Sequence, residues 1–174
     1  MYILNAEDLI RAWVGGNARR ADSRQRQSDD KLKRNLTEEE YVELDVNARG
    51  AEIVIERLTG LPIGRVCGDF KKPDIGDCIQ VRHTTRPNGM LIFRETPFHK
   101  DNPDHYYVLV TGYRPIYFVC GFASGHTIKG MGKYDTSDGK PSWRLPKHLL
   151  KDIFECPALI NYKPSWAQSA ATII

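Results

Sequence analysis

Two hydrophobic rhythms alternate along this chain. The strongest is the unbroken apolar stretch Tyr106-Tyr107-Val108-Leu109-Val110-Thr111-Gly112, the pattern of a strand covered on both faces within a sheet. Tyr113-Arg114-Pro115 turns the chain, and residues 116–123 return as a second strand. The link is too short for a crossover, so this pair is expected to be antiparallel. In Ile79-Gln80-Val81-Arg82 apolar and polar residues alternate. Ile79 and Val81 therefore share one face of a strand, and Gln80 and Arg82 share the other. Residues 65–68 predict a short earlier strand. Residues 90–94 predict a later one, entered through Arg86-Pro87-Asn88-Gly89, whose Asn-Gly pair has hairpin chemistry.

The helical rhythm lies in the first third. Residues 5–14 predict a short helix, with Asn5 as cap, Glu7 and Asp8 in its first turn and Gly15-Gly16 as its stop. Thr37 followed by Glu40 has capping-box spacing and opens a long helix to Leu58, kinked or interrupted near Gly50 and ended by Gly60. Ala51, Val54, Ile55 and Leu58 form its buried stripe. Glu52 and Glu56 lie one turn apart on another face, and Glu56 reads as water-facing. Residues 95–105 read as a loop and 124–142 as a long surface loop. Trp143-Arg144-Leu145-Pro146 re-enters the core, and residues 147–154 predict a short helix.

Composition changes this picture little. The 174 residues, 41% hydrophobic and 27% charged, suit one soluble domain. A formal charge of +3 permits a polyanionic partner without requiring one. No apolar run approaches the roughly 20 residues of a membrane span, and the first residues lack a signal-peptide layout, so cytoplasmic residence is the expectation. The division read from the pattern is a basic helical arm over residues 1–36 and a single α/β domain over 37–174. The arm, with Arg19, Arg20, Arg24, Arg26, Lys31, Lys33 and Arg34, reads either as a solvated segment or as a strap along nucleic-acid phosphates. Cys67, Cys78, Cys120 and Cys156 include no CxxC pair. The first three lie in strand-like apolar surroundings and read as small buried hydrophobes rather than as zinc or disulfide sites.

Candidate chemistry centres on Lys71-Lys72-Pro73-Asp74-Ile75-Gly76-Asp77-Cys78-Ile79-Gln80-Val81-Arg82. An acid on a Pro/Gly turn enters a strand that presents an amide and a guanidinium side by side, an arrangement suited to a divalent metal and a phosphate. Asp77 is the rival acid, nearer to Gln80 but without the preceding Pro. The segment 99–105 gathers His99, Asp101, Asp104 and His105, yet has a mid-loop Pro and no second cluster, so it reads as a solvated loop. His83 falls on the face opposite Arg82 and reads as packing.

Pro73-Asp74, five residues, then Gln80-x-Arg82 resembles the PD-(D/E)XK signature of restriction-endonuclease-like nucleases. Gln stands where that signature has Asp or Glu, and Arg where it has Lys. Gly50-Ala51-Glu52 is similar to the helical element whose Glu reaches the metal in such nucleases. The likeness covers about residues 48–123, and the layout also resembles bacteriophage and environmental proteins, which would act in a host cytoplasm. It departs at residues 90–94, where the family has a helix. The resemblance implies a central mixed sheet of about five strands flanked by helices. It implies metal-dependent DNA cleavage, with Asp74, Gln80, Arg82 and Glu52 in the catalytic set. Asp74, Gln80 and Glu52 would hold Mg²⁺ or Mn²⁺, and Lys71, Lys72 and Arg86 would contact nucleic acid, DNA being the expected polymer. Arg82 suits the fork geometry of phosphate oxygens but cannot act as a general base. Two alternatives accompany this expectation: a non-cleaving nucleic-acid-binding module of the same fold, and a protein-interaction module. A homodimer is a further candidate assembly.

Overall fold

The computed structural model describes residues 1–25, 36–64, 72–95, 101–137 and 141–160. The expectations placed on residues 65–68, Lys71, Cys67, His99 and the later part of the basic arm lie outside them. The described residues form a mixed α/β fold with four helices and two sheets. The elements in chain order are β1 (Tyr2–Ile3), α1 (Ala6–Gln25), α2 (Glu38–Thr59), β2 (Ile79–Thr84), β3 (Met90–Arg94), β4 (Tyr106–Tyr113), β5 (Ile116–Ser124), α3 (Gly125–Met131), β6 (Lys133–Asp135), β7 (Ser142–Pro146) and α4 (Pro157–Ile160).

The first sheet runs β1-β5-β4-β2, with β4 antiparallel to β5 and parallel to β2. The second runs β3-β7-β6 and is antiparallel throughout. This corrects the expectation of a single sheet of about five strands. The cause lies on the outer edge of β2. There Ile75 and Ile79 exchange backbone hydrogen bonds of 3.0 and 3.2 Å, and the Val81 N–H donates to the Asp74 carboxylate at 2.8 Å. With that edge occupied, β3 cannot pair with β2 as a hairpin, and it pairs with β7 instead.

The interior strand β4 has a core on each side, as its continuous apolar run requires. Val108 and Val110 point into a core shared with Val46, Ala51, Val54, Ile55, Ile79, Val81 and Tyr117. Tyr107 and Leu109 point the other way, into a core with Leu91, Phe93, Ala123, Ile128 and Leu145. The layers are therefore helices α1 and α2, the first sheet, then the second sheet with α3. Leu4 and Ala12, from the N-terminal segment, belong to the same core as Val46 and Val54.

Packing overturns the expected helix stop at Gly15-Gly16 and an interruption at Gly50. Helix α1 runs straight through Gly15-Gly16, because the missing side chain lets α2 approach: a Cβ on Gly16 would lie 2.5 Å from the Val46 Cα. Helix α2 is likewise continuous through Gly50, whose empty side is filled by the Tyr117 hydroxyl. Its ends match the sequence reading, with a complete Thr37–Glu40 capping box and Gly60 at φ 71° as the left-handed cap. Residues 125–135 hold α3 and β6 rather than a bare loop, seated by the fully buried Ile128. In place of a helix over 147–154 there are two single 3-10 turns, Lys147–Leu149 and Ile153–Glu155. No described helix is long and apolar enough to cross a membrane.

Candidate active site at the outer edge of β2

Asp74 occupies the position a neighbouring strand would take. Its backbone carbonyl accepts from the Gly64 N–H at 2.7 Å, while its Oδ2 accepts from the Val81 N–H. The carboxylate thus caps part of the outer hydrogen-bond edge of β2. It is half-buried and densely surrounded. Burial first, and the nearby Glu52 charge second, push its pKa from 3.8 up to about 6, against the pull of Arg82, the Val81 N–H and Arg19.

Gln80 and Arg82 share the face opposite the helices, as their two-residue spacing demands. Gln80 is buried, and its Nε2 donates to the Lys72 carbonyl at 3.2 Å. A carbonyl can only accept, so this contact fixes which end of the amide is which and leaves Oε1 without a partner among the described residues. Arg82 donates through Nε to the Ile92 carbonyl at 3.3 Å and through Nη2 to Asp101 at 2.7 Å, with its guanidinium 5.2 Å from the centre of the Tyr107 ring.

Glu52 comes from α2, on the other side of the sheet. It is 3% exposed, so a lone carboxylate there would be costly. Arg19 donates to its Oε1 at 2.7 Å and Arg49 to its Oε2 at 2.9 Å. Asp45 lies in the same charged cluster: burial raises its pKa, Arg19 and Arg20 counteract that, and Glu52 adds to it.

Asp74 is therefore within electrostatic reach of both Glu52, from α2 on one side of the sheet, and Arg82, from β2 on the other, with Gln80 on the same face as Arg82. The other predicted positions are not drawn in. Lys72 is exposed on the approach to the site, and Asp77 is exposed in the tight turn. Arg86 is exposed beyond the far end of β2; Gln80 to Thr84 alone spans roughly 13 Å of strand. Glu56, read as water-facing, pairs with Arg11. His83 does lie on the opposite face, edge-on to Tyr117 and bonded to the Gly112 carbonyl at 2.7 Å. Cys156, which carried no reading, is fully buried in the core.

Three functional contributors escaped the sequence reading. Arg19 and Arg49 hold Glu52, and Asp101 holds Arg82. Arg49 follows Glu52's helix spacing at i−3, a signal that was available. Arg19 is 33 residues upstream and Asp101 is 19 downstream of their partners, distances at which no local pattern speaks.

As a metal site, the donors are Asp74 Oδ1, which accepts no hydrogen bond among the described residues, and the unpartnered Gln80 Oε1. Glu52, whose charge reaches Asp74, retains lone pairs beyond the two guanidinium bonds. Among the described residues no group of three or more His, Cys, Asp or Glu side chains is placed to hold a metal ion; this set is two carboxylates and an amide. Oxygen donors of this kind fit Mg²⁺ or Mn²⁺ rather than zinc. Two neighbouring acids, one of them held above the usual carboxylate range, are also a place where an added cation lowers the electrostatic energy.

The fold and site define a mixed α/β protein with a charged cluster at a sheet edge. Compared with known proteins, the chain matches no family model and no curated sequence.

Proposed function

We propose that this protein is a PD-(D/E)XK-like, metal-dependent DNA endonuclease. The observation that carries the proposal is the placement of Asp74, on the Pro73 turn, within electrostatic reach of both Glu52 and Arg82, its pKa raised to about 6 by burial and by Glu52. Asp74 and Gln80, with Glu52 in support, would hold Mg²⁺ or Mn²⁺, which when bound would supply Lewis-acid polarisation of the phosphate and of an attacking water. The chain's own residues then have separate duties. Asp74 provides the anionic ligand; Gln80, tied through Nε2, presents a fixed oxygen; Arg82 offers a hydrogen-bond donor to a phosphate oxygen, where charge grows in the transition state. Lys72 lies on the exposed approach and contributes attraction for the backbone, as does Arg86 further along.

A second reading, a DNA-binding module of the same fold that does not cut, is favoured by one observation. Both oxygens of Glu52 are already held by guanidinium groups. Incubation of supercoiled plasmid with Mg²⁺ or Mn²⁺, beside an Asp74→Ala control, separates the two. Nicking above the control supports the nuclease. Salt-dependent retention without nicking supports the module. Neither activity refutes both.

A further inference from the structure

We propose that Asp101 is a positioning residue for Arg82, orienting its guanidinium so that Nη1 is the nitrogen left to donate to a phosphate oxygen. The inference rests on the nuclease reading of the site and adds a residue outside the motif that suggested it. Asp101 is 6% exposed, too deep for an uncompensated carboxylate. It is locked to the end of β3 in both directions. Its Oδ2 accepts from the Arg94 N–H at 2.7 Å, and its own N–H donates to the Arg94 carbonyl at 3.0 Å. Its remaining oxygen, Oδ1, takes Arg82 Nη2 at 2.7 Å.

The guanidinium is planar, so two fixed edges determine the third. The Ile92 carbonyl holds Nε and Asp101 holds Nη2, while the guanidinium carbon sits over the Tyr107 ring, 5.2 Å from its centre. The ring is itself held, because the Tyr107 hydroxyl donates to the Asn102 carbonyl at 2.9 Å, next to Asp101 in sequence. Nη1 is the one nitrogen of Arg82 with no partner among the described residues. Asp74 is near enough for its charge to act on Arg82, so this donor belongs to the neighbourhood of the site. A residue that only neutralised Arg82 would not need a second anchor on the β3 backbone.

The test uses the full chain with Asp101→Asn, Arg82→Gln and the double variant, measuring plasmid nicking in Mg²⁺ and arginine side-chain NMR. Asp101→Asn is expected to lower kcat roughly tenfold to a hundredfold with little change in KM for DNA, the signature of a misplaced transition-state donor. The double variant is expected to be no worse than Arg82→Gln, because Asp101 acts through Arg82. In NMR, the wild-type Arg82 guanidinium should give separate, slowly exchanging Nη signals that merge in Asp101→Asn. Multiplied losses in the double variant, or unchanged kcat in Asp101→Asn, overturn the proposal. If the wild type does not nick, the nuclease reading fails, and the NMR signals alone decide: merging supports positioning, and unchanged signals refute it. Asp101→Glu, which keeps the charge but lengthens the arm, serves if the Asn variant does not fold, and the same losses are expected of it.

Discussion

Replacing Asp74 with Asn should make the protein more stable at neutral pH, the opposite of what most substitutions do. Asn has nearly the same shape, and its Oδ1 can keep accepting from the Val81 N–H. What disappears is one of two neighbouring negative charges. The folded-state pKa of about 6 lies above the ordinary 3.8. The folded protein therefore binds an extra proton between those values, and wild-type stability falls as pH rises through about 4 to 6. Two units at about 1.4 kcal/mol each set a ceiling of about 3 kcal/mol. The favourable bond from the Val81 N–H is already contained in that value. The Asn variant should thus gain up to about 3 kcal/mol above pH 7 and nothing below about pH 4, where Asp74 is neutral in both states. Urea unfolding of both proteins across this range measures the difference. In the same experiment Mg²⁺ should raise the wild-type midpoint and leave the variant's unchanged, since only the wild type keeps the anionic ligand. An Asn variant that is less stable at pH 8, or an offset that does not vary with pH, would refute the reasoning.

Three further outcomes follow from packing and charge. Gly16→Ala puts a Cβ against the Val46 backbone and should cost about 2 kcal/mol by forcing α1 off α2; an unchanged thermal midpoint would mean that this seat is not tight. Asp101→Ala leaves the three-quarters-buried Arg82 without its counter-charge and should destabilise by about 3 kcal/mol in urea unfolding, and a loss below about 1 kcal/mol would contradict that geometry. Thr37→Ala removes one half of the capping box and should cost about 1 kcal/mol, read from the same unfolding curves.

Part of the charged cluster was legible in the residues. The Asp74 turn and the Gln80/Arg82 face follow from local pattern, because strand alternation acts over two residues, whereas Glu52 was singled out only through the family resemblance. Their partners were not legible. Arg19 was read as part of a basic arm, whereas it closes the cluster over Glu52, and the loop around Asp101 was read as solvated, whereas Asp101 is among the most buried polar groups. Polar loop composition reports an average tendency; a single aspartate within it goes where one buried guanidinium needs a counter-charge. The glycines misled for a related reason. Gly15, Gly16 and Gly50 read as breaks on local propensity, yet each marks a place where another element comes close, a cost in helix propensity outweighed by burial.

By itself, the sequence determined strands β2 to β5, the facing of β2, and the capped ends of α2. These depend on periods of two and 3.6 residues and on turn chemistry, all local. The tertiary structure alone decided that β3 leaves β2 for a second sheet, that β4 runs parallel to β2, and that Arg19, Arg49 and Asp101 supply the counter-charges. The reason is that an occupied strand edge, a close helix approach and a buried ion pair join residues far apart in the chain, where no repeat in the sequence records the meeting.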